Sequence, residues 1–336
     1  MAKLKILPAI LVVILILLGA YLLFYFYSNV IYSETHQLDA QEPLREIPIK
    51  QSVYFKSFPA NERITKPVYI IPYVGDIDGD VSEEWFFFIN GLVEFYDRNE
   101  IPAAFSFYPD SMAPETRFMD ILIKMYNSPY IEMMHKSYLA LDDEYKVNEL
   151  PSDVKTSIKA DLLKAEQEAY IENMHTRGIK NPKLPLSYTK LGGRATLEDR
   201  EALDQVGYKM YFDVYYDESY GNISSKEDFY VIQYGVSFTE DGGAGAETTF
   251  RLPDEIIEAI NTYNREDVTV LSYKNIPIIP LWTHQQDFES KNEWGNYDTE
   301  KWDIYQETLL RLKQDPNVIF VTPSDVYSLL SEQKLR

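Results

Sequence analysis

Residues 68–75, VYIIPYVG, run without a charged break, the pattern of a strand buried on both faces. Residues 83–98, EEWFFFINGLVEFYDR, then carry an apolar face at helical spacing. This alternation continues to the end of the chain. Further strands are predicted at 102–108, 130–134, 209–215, 229–234, 277–282 and 318–321, and further helices at 116–126, 152–177, 196–206, 253–263, 298–313 and 323–332. Ser152 is a candidate cap for the long helix and Gly178 its stop. Pro323 suits the first helical position after Thr322 as N-cap. About seven strand–helix units in ~270 residues predict an α/β fold with a mainly parallel sheet, closed or nearly closed as a barrel. An open dinucleotide-binding sheet fits less well. The glycine cluster 242-GGAGAE-247 follows no clear strand and opens no helix, and it reads as a flexible loop.

A different pattern opens the chain. Residues 6–27 contain no charged residue. At about 1.5 Å per residue they are long enough to cross the hydrocarbon core of a bilayer. Lys3 and Lys5 precede them, and Tyr21, Tyr25 and Tyr27 crowd the far end. That asymmetry predicts an uncleaved signal anchor, N-terminus inside and the bulk of the chain outside. A cleaved signal peptide is the alternative, but its apolar core is shorter and ends at a small-x-small site, which does not follow here. The expected organisation is a transmembrane anchor at 1–28, a stalk at 29–66 containing Pro43, Pro48 and Pro59, and a barrel at 67–333. The expected location is the cell membrane, single-pass, with the C-terminal domain extracytoplasmic.

Composition narrows the partners. The net charge of −21 repels nucleic acid and anionic lipid, so no nucleic-acid partner is expected. The absence of cysteine excludes disulfides, thiolate metal sites and a cysteine nucleophile. The 27 tyrosines and 17 phenylalanines suit a core and barrel wall, with some left to pack on sugar faces. Asn222-Ile223-Ser224 is a glycosylation sequon, consistent with an exterior domain.

In β/α barrels the reacting groups sit at the C-terminal ends of strands. Three features fall there. Asp76, Asp78 and Asp80 alternate after the first strand, and point the same way if the strand persists. Crowded carboxylates repel, and a cation relieves them; an Asp/Gly turn is the plainer reading of the same residues. His135 follows the third strand, as a metal ligand or as a hydrogen-bonded loop histidine. His284 follows a proline-bounded strand, as a ligand or a general acid. His175, near the end of the long helix, reads as structural, and His36 lies in the stalk.

This order of acidic strand end, histidine loop, long helix and late histidine resembles the polysaccharide deacetylase family, the NodB-type carbohydrate esterase 4 superfamily, in its divergent members of the DUF2334 kind. The likeness covers roughly residues 67–332 and includes 202-ALDQVGYKMYFD-213, 277-PIIPLWTHQQDFE-289 and 318-VIFVTPSDVYSLL-330. It implies a distorted (β/α)7 barrel and a divalent, zinc-like metal that polarises an acyl carbonyl and activates water. Carried over, Asp76 is the base, Asp78 and His135 are metal ligands, and His284 is the general acid. Two positions depart from the pattern. The second histidine of H-x-x-x-H is Leu139, which cannot ligate; Asp142 or Asp143 would have to complete the sphere. The segment 184-LPLSYTK-190 lacks the usual arginine, and Arg194 would supply the charge from elsewhere.

The implied function is metal-dependent removal of acetyl groups from a cell-surface glycan. Two alternatives stand beside it. One is a pseudoenzyme that binds glycan or assembles in an envelope complex. The other is a glycosidase with an acid pair, for which Asp76 and Asp213 are candidates.

Overall fold

Strands and helices alternate from residue 68 onward because each apolar strand needs a helix to cover its outer face. The computed structural model describes residues 63–77, 83–108, 118–137, 150–190, 196–213, 229–233, 235–240, 245–263, 271–291 and 296–334. All of these fall in the unit Ile47–Arg336. The order is β1 (Val68–Ile77), α1 (Glu83–Asn99), β2 (Ala103–Phe107), α2 (Phe118–Asn127), β3 (Ile131–Ser137), α3 (Ser152–Thr176), β4 (Ser187–Lys190), α4 (Leu197–Gln205), β5 (Met210–Asp213), β6 (Tyr230–Gln233) and β7 (Val236–Ser237). Then come α5 (Pro253–Tyr263), β8 (Ser272–Tyr273), β9 (Ile276–His284), a 3-10 turn (Gln285–Phe288), α6 (Thr299–Gln314), β10 (Val318–Phe320) and α7 (Pro323–Lys334).

The sheet runs β6-β5-β4-β3-β2-β1-β9-β7, with β10 on β1 and β8 on β9. Every pairing is parallel except β8 with β9. β1 is the hub. β9 follows one of its edges from Tyr69 to Gly75, while β10 and then β2 share the other.

The sheet is curled. Tyr73 of β1 stacks on Phe212 of β5 with ring centroids 5.9 Å apart, although β2, β3 and β4 lie between. A flat sheet would separate those strands by roughly 19 Å, four spacings of ~4.8 Å. Ile71, Tyr73, Ala104, Met134, Phe212 and Trp282 meet on the concave face. Alternate residues of the same strands, such as Val74, Phe105, Met133 and Leu281, pack outward against the helices. This is an α/β barrel-like architecture, as the strand–helix alternation predicts.

α7 closes the end of the bowl where the strands begin. Its Val326 and Leu330 join the concave cluster, and the Ser324 backbone N–H donates to Glu132 at the start of β3. Thr322 and Asp325 cap each other at its N-terminus, which fixes the entry angle.

Several local expectations change. The N-cap of α3 is Pro151, and the Ser152 hydroxyl donates to Glu198 of α4 instead, at 2.7 Å. Gly178 does end that helix region, at φ +86°. Thr196 and Asp199 form a capping box on α4, and the same Asp199 pairs with buried Lys159 of α3 at 2.6 Å. The short strands β4, β7 and β8 have no apolar run to announce them; Ser187–Lys190 reads SYTK. Among the described residues no helix is long and apolar enough to cross a membrane; the span at 6–27 and most of the stalk lie outside them.

Gly235 allows β7 to lie against β9: a Cβ there would meet Ile279 Cγ2 at 2.5 Å and the Pro280 carbonyl oxygen at 3.0 Å. Gly235→Ala is therefore expected to destabilise the barrel by about 1–3 kcal/mol through overpacking, read as a lower urea midpoint with unchanged slope.

Candidate active site at the strand ends

Strand alternation decides which side chains reach the concave face at its open end. On β9, Ile278 and Trp282 face inward, and so does His284 two residues further. On β1 the alternation is broken. Asp76 has φ +61°, a left-handed conformation that aspartate tolerates better than most residues, and the register against β2 shifts between Val74 and Ile77. The bulge turns Asp76 to the side of the sheet that holds Lys136 and His284. Gly75 makes room for the His284 ring: a Cβ there would stand 3.1 Å from it and 3.3 Å from the Tyr73 hydroxyl.

On β3 the strand continues past the expected end at residue 134, to Ser137. Met134 and Lys136 therefore face inward, and His135 faces outward with Ile131 and Met133. This corrects the expected placement of His135 among the reacting groups. Its ring is fully buried between Phe107, Tyr170 and Tyr208, with centroids 5.2, 5.0 and 5.9 Å away. Its Nδ1 lies 2.5 Å from the Tyr208 hydroxyl, and burial pushes its pKa down to about 3. It is a neutral core histidine beneath α3.

Lys136 takes the inward position instead. Its ammonium pairs directly with Asp76 Oδ1 and lies over the Tyr108 ring, 5.5 Å from the centroid. The Tyr108 hydroxyl donates to the same carboxylate oxygen at 3.4 Å. Burial pushes the Lys136 pKa down, to about 7, while the adjoining carboxylate works to keep the ammonium charged. The Asp76 backbone N–H donates to Ser106 Oγ, which in turn shares a hydrogen with the Tyr73 hydroxyl at 2.8 Å.

His284 stands between two carboxylates. Nε2 is 3.8 Å from Asp76 Oδ2 and Nδ1 is 3.7 Å from Asp287 Oδ2, both too long for direct hydrogen bonds. Burial first, then the nearby Lys136 charge, lowers its pKa to about 4, so the ring is neutral at neutral pH. Asp287 accepts from the His284 backbone N–H at 2.7 Å, the Thr283 hydroxyl at 2.9 Å and the Gly245 N–H at 3.2 Å. Burial raises its pKa to about 6 against those bonds. Lys301 holds this corner by donating to the carbonyls of Ala246, Asp287 and Glu289 at 2.8–3.0 Å. The glycine-rich loop is thus tied to the 3-10 turn at its Gly245–Ala246 end.

The structure brings Asp76 and His284 together and turns His135 away. Asp78, Asp80, Leu139, Asp142, Asp143 and Arg194 lie outside the described residues. Asp213 ends β5, separated from β1 by three strands. Sequence reasoning missed Lys136, Tyr108, Asp287 and Lys301. The first was within reach, because Ile131, Met133 and His135 share one parity and Lys136 has the other.

A divalent metal needs three or more convergent donors. Among the described residues no group of three His, Asp or Glu is placed to hold one. The two that do converge, Asp76 and His284, have an ammonium already seated on the carboxylate. Of the ligands that the resemblance implies, His135 is turned into the core, and Asp78, Asp142 and Asp143 lie outside the described residues.

Removing one partner of a buried ion pair strands the other. Asp76→Asn is expected to cost about 3–5 kcal/mol in a urea titration, and pairing it with Lys136→Met is expected to recover most of that loss.

No family model matches the chain, and no curated protein matches it. Among solved structures it is similar to a Mycobacterium smegmatis protein classed as a polysaccharide deacetylase, at 13% identity and a TM-score of 0.49, covering 87% of this chain and 97% of that one. It is similar also to a glycoside hydrolase/deacetylase-class protein from Parabacteroides distasonis, at 13% identity and 0.46, covering 81% and 73%. A third likeness is to the 4-alpha-glucanotransferase of Thermococcus litoralis, at 14% identity and 0.48, covering 78% of this chain but only 40% of that one.

Proposed function

We propose that this chain is a membrane-anchored, extracytoplasmic hydrolase that removes acyl groups from a cell-surface glycan. The observation that carries the reading is the Asp76–His284 pair at the open end of the bowl: a carboxylate and a neutral imidazole 3.8 Å apart, so that a single water beside the pair can reach both. Trp282, edge-on to the His284 ring at 5.0 Å, and Tyr108 wall the site with aromatic side chains that are themselves buried. The apolar segment at 6–27 supports the anchor, and the acidic surface supports a partner other than nucleic acid.

The chemistry follows from the charge states. The resemblance makes Asp76 the base and His284 the acid, but an imidazole with pKa near 4 is unprotonated when substrate arrives. His284 Nε2 therefore acts first as base. Water adds to the acyl carbonyl carbon and yields a proton to Nε2. Collapse of the tetrahedral adduct breaks the bond to the sugar oxygen or nitrogen, which takes that proton back, and the acid is released. Asp76 Oδ2 orients the water and stabilises the transient imidazolium.

A second reading is favoured by one observation: the direct Lys136–Asp76 pair already satisfies the carboxylate. On it, the barrel binds glycan without turning it over. Incubation of the full-length chain with acetylated polysaccharides, with release of acetate and retention of glycan measured together, separates the two. Retention without acetate release from any acetylated polymer sinks the hydrolase.

His284→Ala is expected to lower kcat by about 10²–10⁴ with little change in glycan affinity. The groups facing the ring are Asp76, Asp287 and Lys136. A base must be neutral, so the imidazole limb of a kcat/KM pH–rate profile is expected as pH drops through about 4, below any step from Asp287, whose carboxyl is raised to about 6.

A further inference from the structure

The part of this site with no place in the resemblance is Lys136. It is 4% exposed, lies on the inward parity of β3, and its ammonium contacts the Asp76 carboxylate beside His284. Burying an unpaired carboxylate at the end of a bowl lined by Tyr73, Trp282 and Phe212 would be costly, and a cation must offset it. In a metal-dependent site the ion does this. Here the chain's own ammonium does, reaching from two strands away.

From this we infer that Lys136 is the built-in cation of the site, and that it keeps divalent metal off Asp76 and His284. Three observations agree. First, Tyr108 is placed for the lysine, with its ring under the ammonium and its hydroxyl on the same Asp76 oxygen. Second, the neighbouring histidine of the metal motif has been turned into the core, where Tyr208 occupies its Nδ1. Third, one oxygen of the Asp76 carboxylate faces the lysine and the other faces the His284 imidazole, so the ammonium sits at the point where the two groups converge. A point charge on a flexible stem does not reproduce a metal's coordination geometry, but it supplies positive charge and N–H donors toward a carbonyl, carboxylate or hydroxyl oxygen. The ligand class that follows is an oxygen-rich, neutral or anionic sugar derivative, bound without an ion. The inference borrows the location of the site from the proposed function, but zinc uptake and acetate release are separate readouts, and either can fail alone.

The test uses the full chain, purified in detergent, stripped with chelator and titrated with zinc chloride by calorimetry. Metal content is measured by mass spectrometry after gel filtration. The quantity read is the zinc that the double substitution Asp76→Asn, His284→Ala removes, so zinc held by the acidic surface cancels. In the wild-type chain that quantity is expected to be far below one equivalent. In Lys136→Ala it is expected to rise toward one, with a zinc-dependent increase in Tm that the wild type lacks. Lys136→Gln, closer in volume, gives the same reading if the alanine variant does not fold. A full equivalent of such zinc in the wild-type chain overturns the inference. So does a folded Lys136→Gln chain that takes up none, since the lysine would then not be what keeps the metal out.

Discussion

A strand buried on both faces allows no local choice of direction: each residue points opposite to its neighbours, and slipping by one exchanges the two faces entirely. The site depends on this constraint. β3 runs to Ser137 with Ile131 and Met133 committed to the helical layer and Met134 to the concave face. Those commitments send His135 into the aromatic packing under α3 and Lys136 to Asp76. No rotamer of His135 undoes this, because the backbone around it is held by β2 on one side and β4 on the other.

Among the described strands, the rule is suspended on β1 beside His284 and Lys136. Asp76 escapes the alternation of β1 through a left-handed residue and a shifted register. Such a conformation is held only because the surroundings over-determine it. Here the Ser106 hydroxyl holds its amide, Gly75 leaves space for the His284 ring, and β9 fixes the strand up to Gly75. The corner across from it is held as firmly, by Asp287 under His284 and by Lys301 on three carbonyls. Asp76 and His284 thus sit on supports that share no side chain.

The fold was largely legible in the sequence because its signals are cumulative. Long apolar runs such as 68–75 and helical stripes such as 83–98 each carry many residues' worth of evidence, and their alternation leaves few topologies open. The site was half legible. Asp76 and His284 were visible as acid and imidazole at strand ends. Lys136 was not, since a lysine beside a histidine reads as a solvated charge unless the strand's length is known to within one residue. Asp287 was hidden for a different reason: its role is to accept backbone and hydroxyl hydrogens in a single turn, which composition and spacing do not encode. Arg194, Asp78, Asp142 and Asp143 fall in stretches between the described elements, where no periodic pattern constrains position.

The placement of α7 bears on how a large ligand meets this bowl. With Val326 and Leu330 packed into the concave cluster and Tyr327 edge-on to Tyr230, the narrow end is stoppered. A polymer cannot be threaded through from one end to the other, as through a tunnel. Anything that reaches Asp76 and His284 must enter and leave by the same opening, so a long ligand would lie across the mouth of the bowl with one group at a time dipping toward the pair.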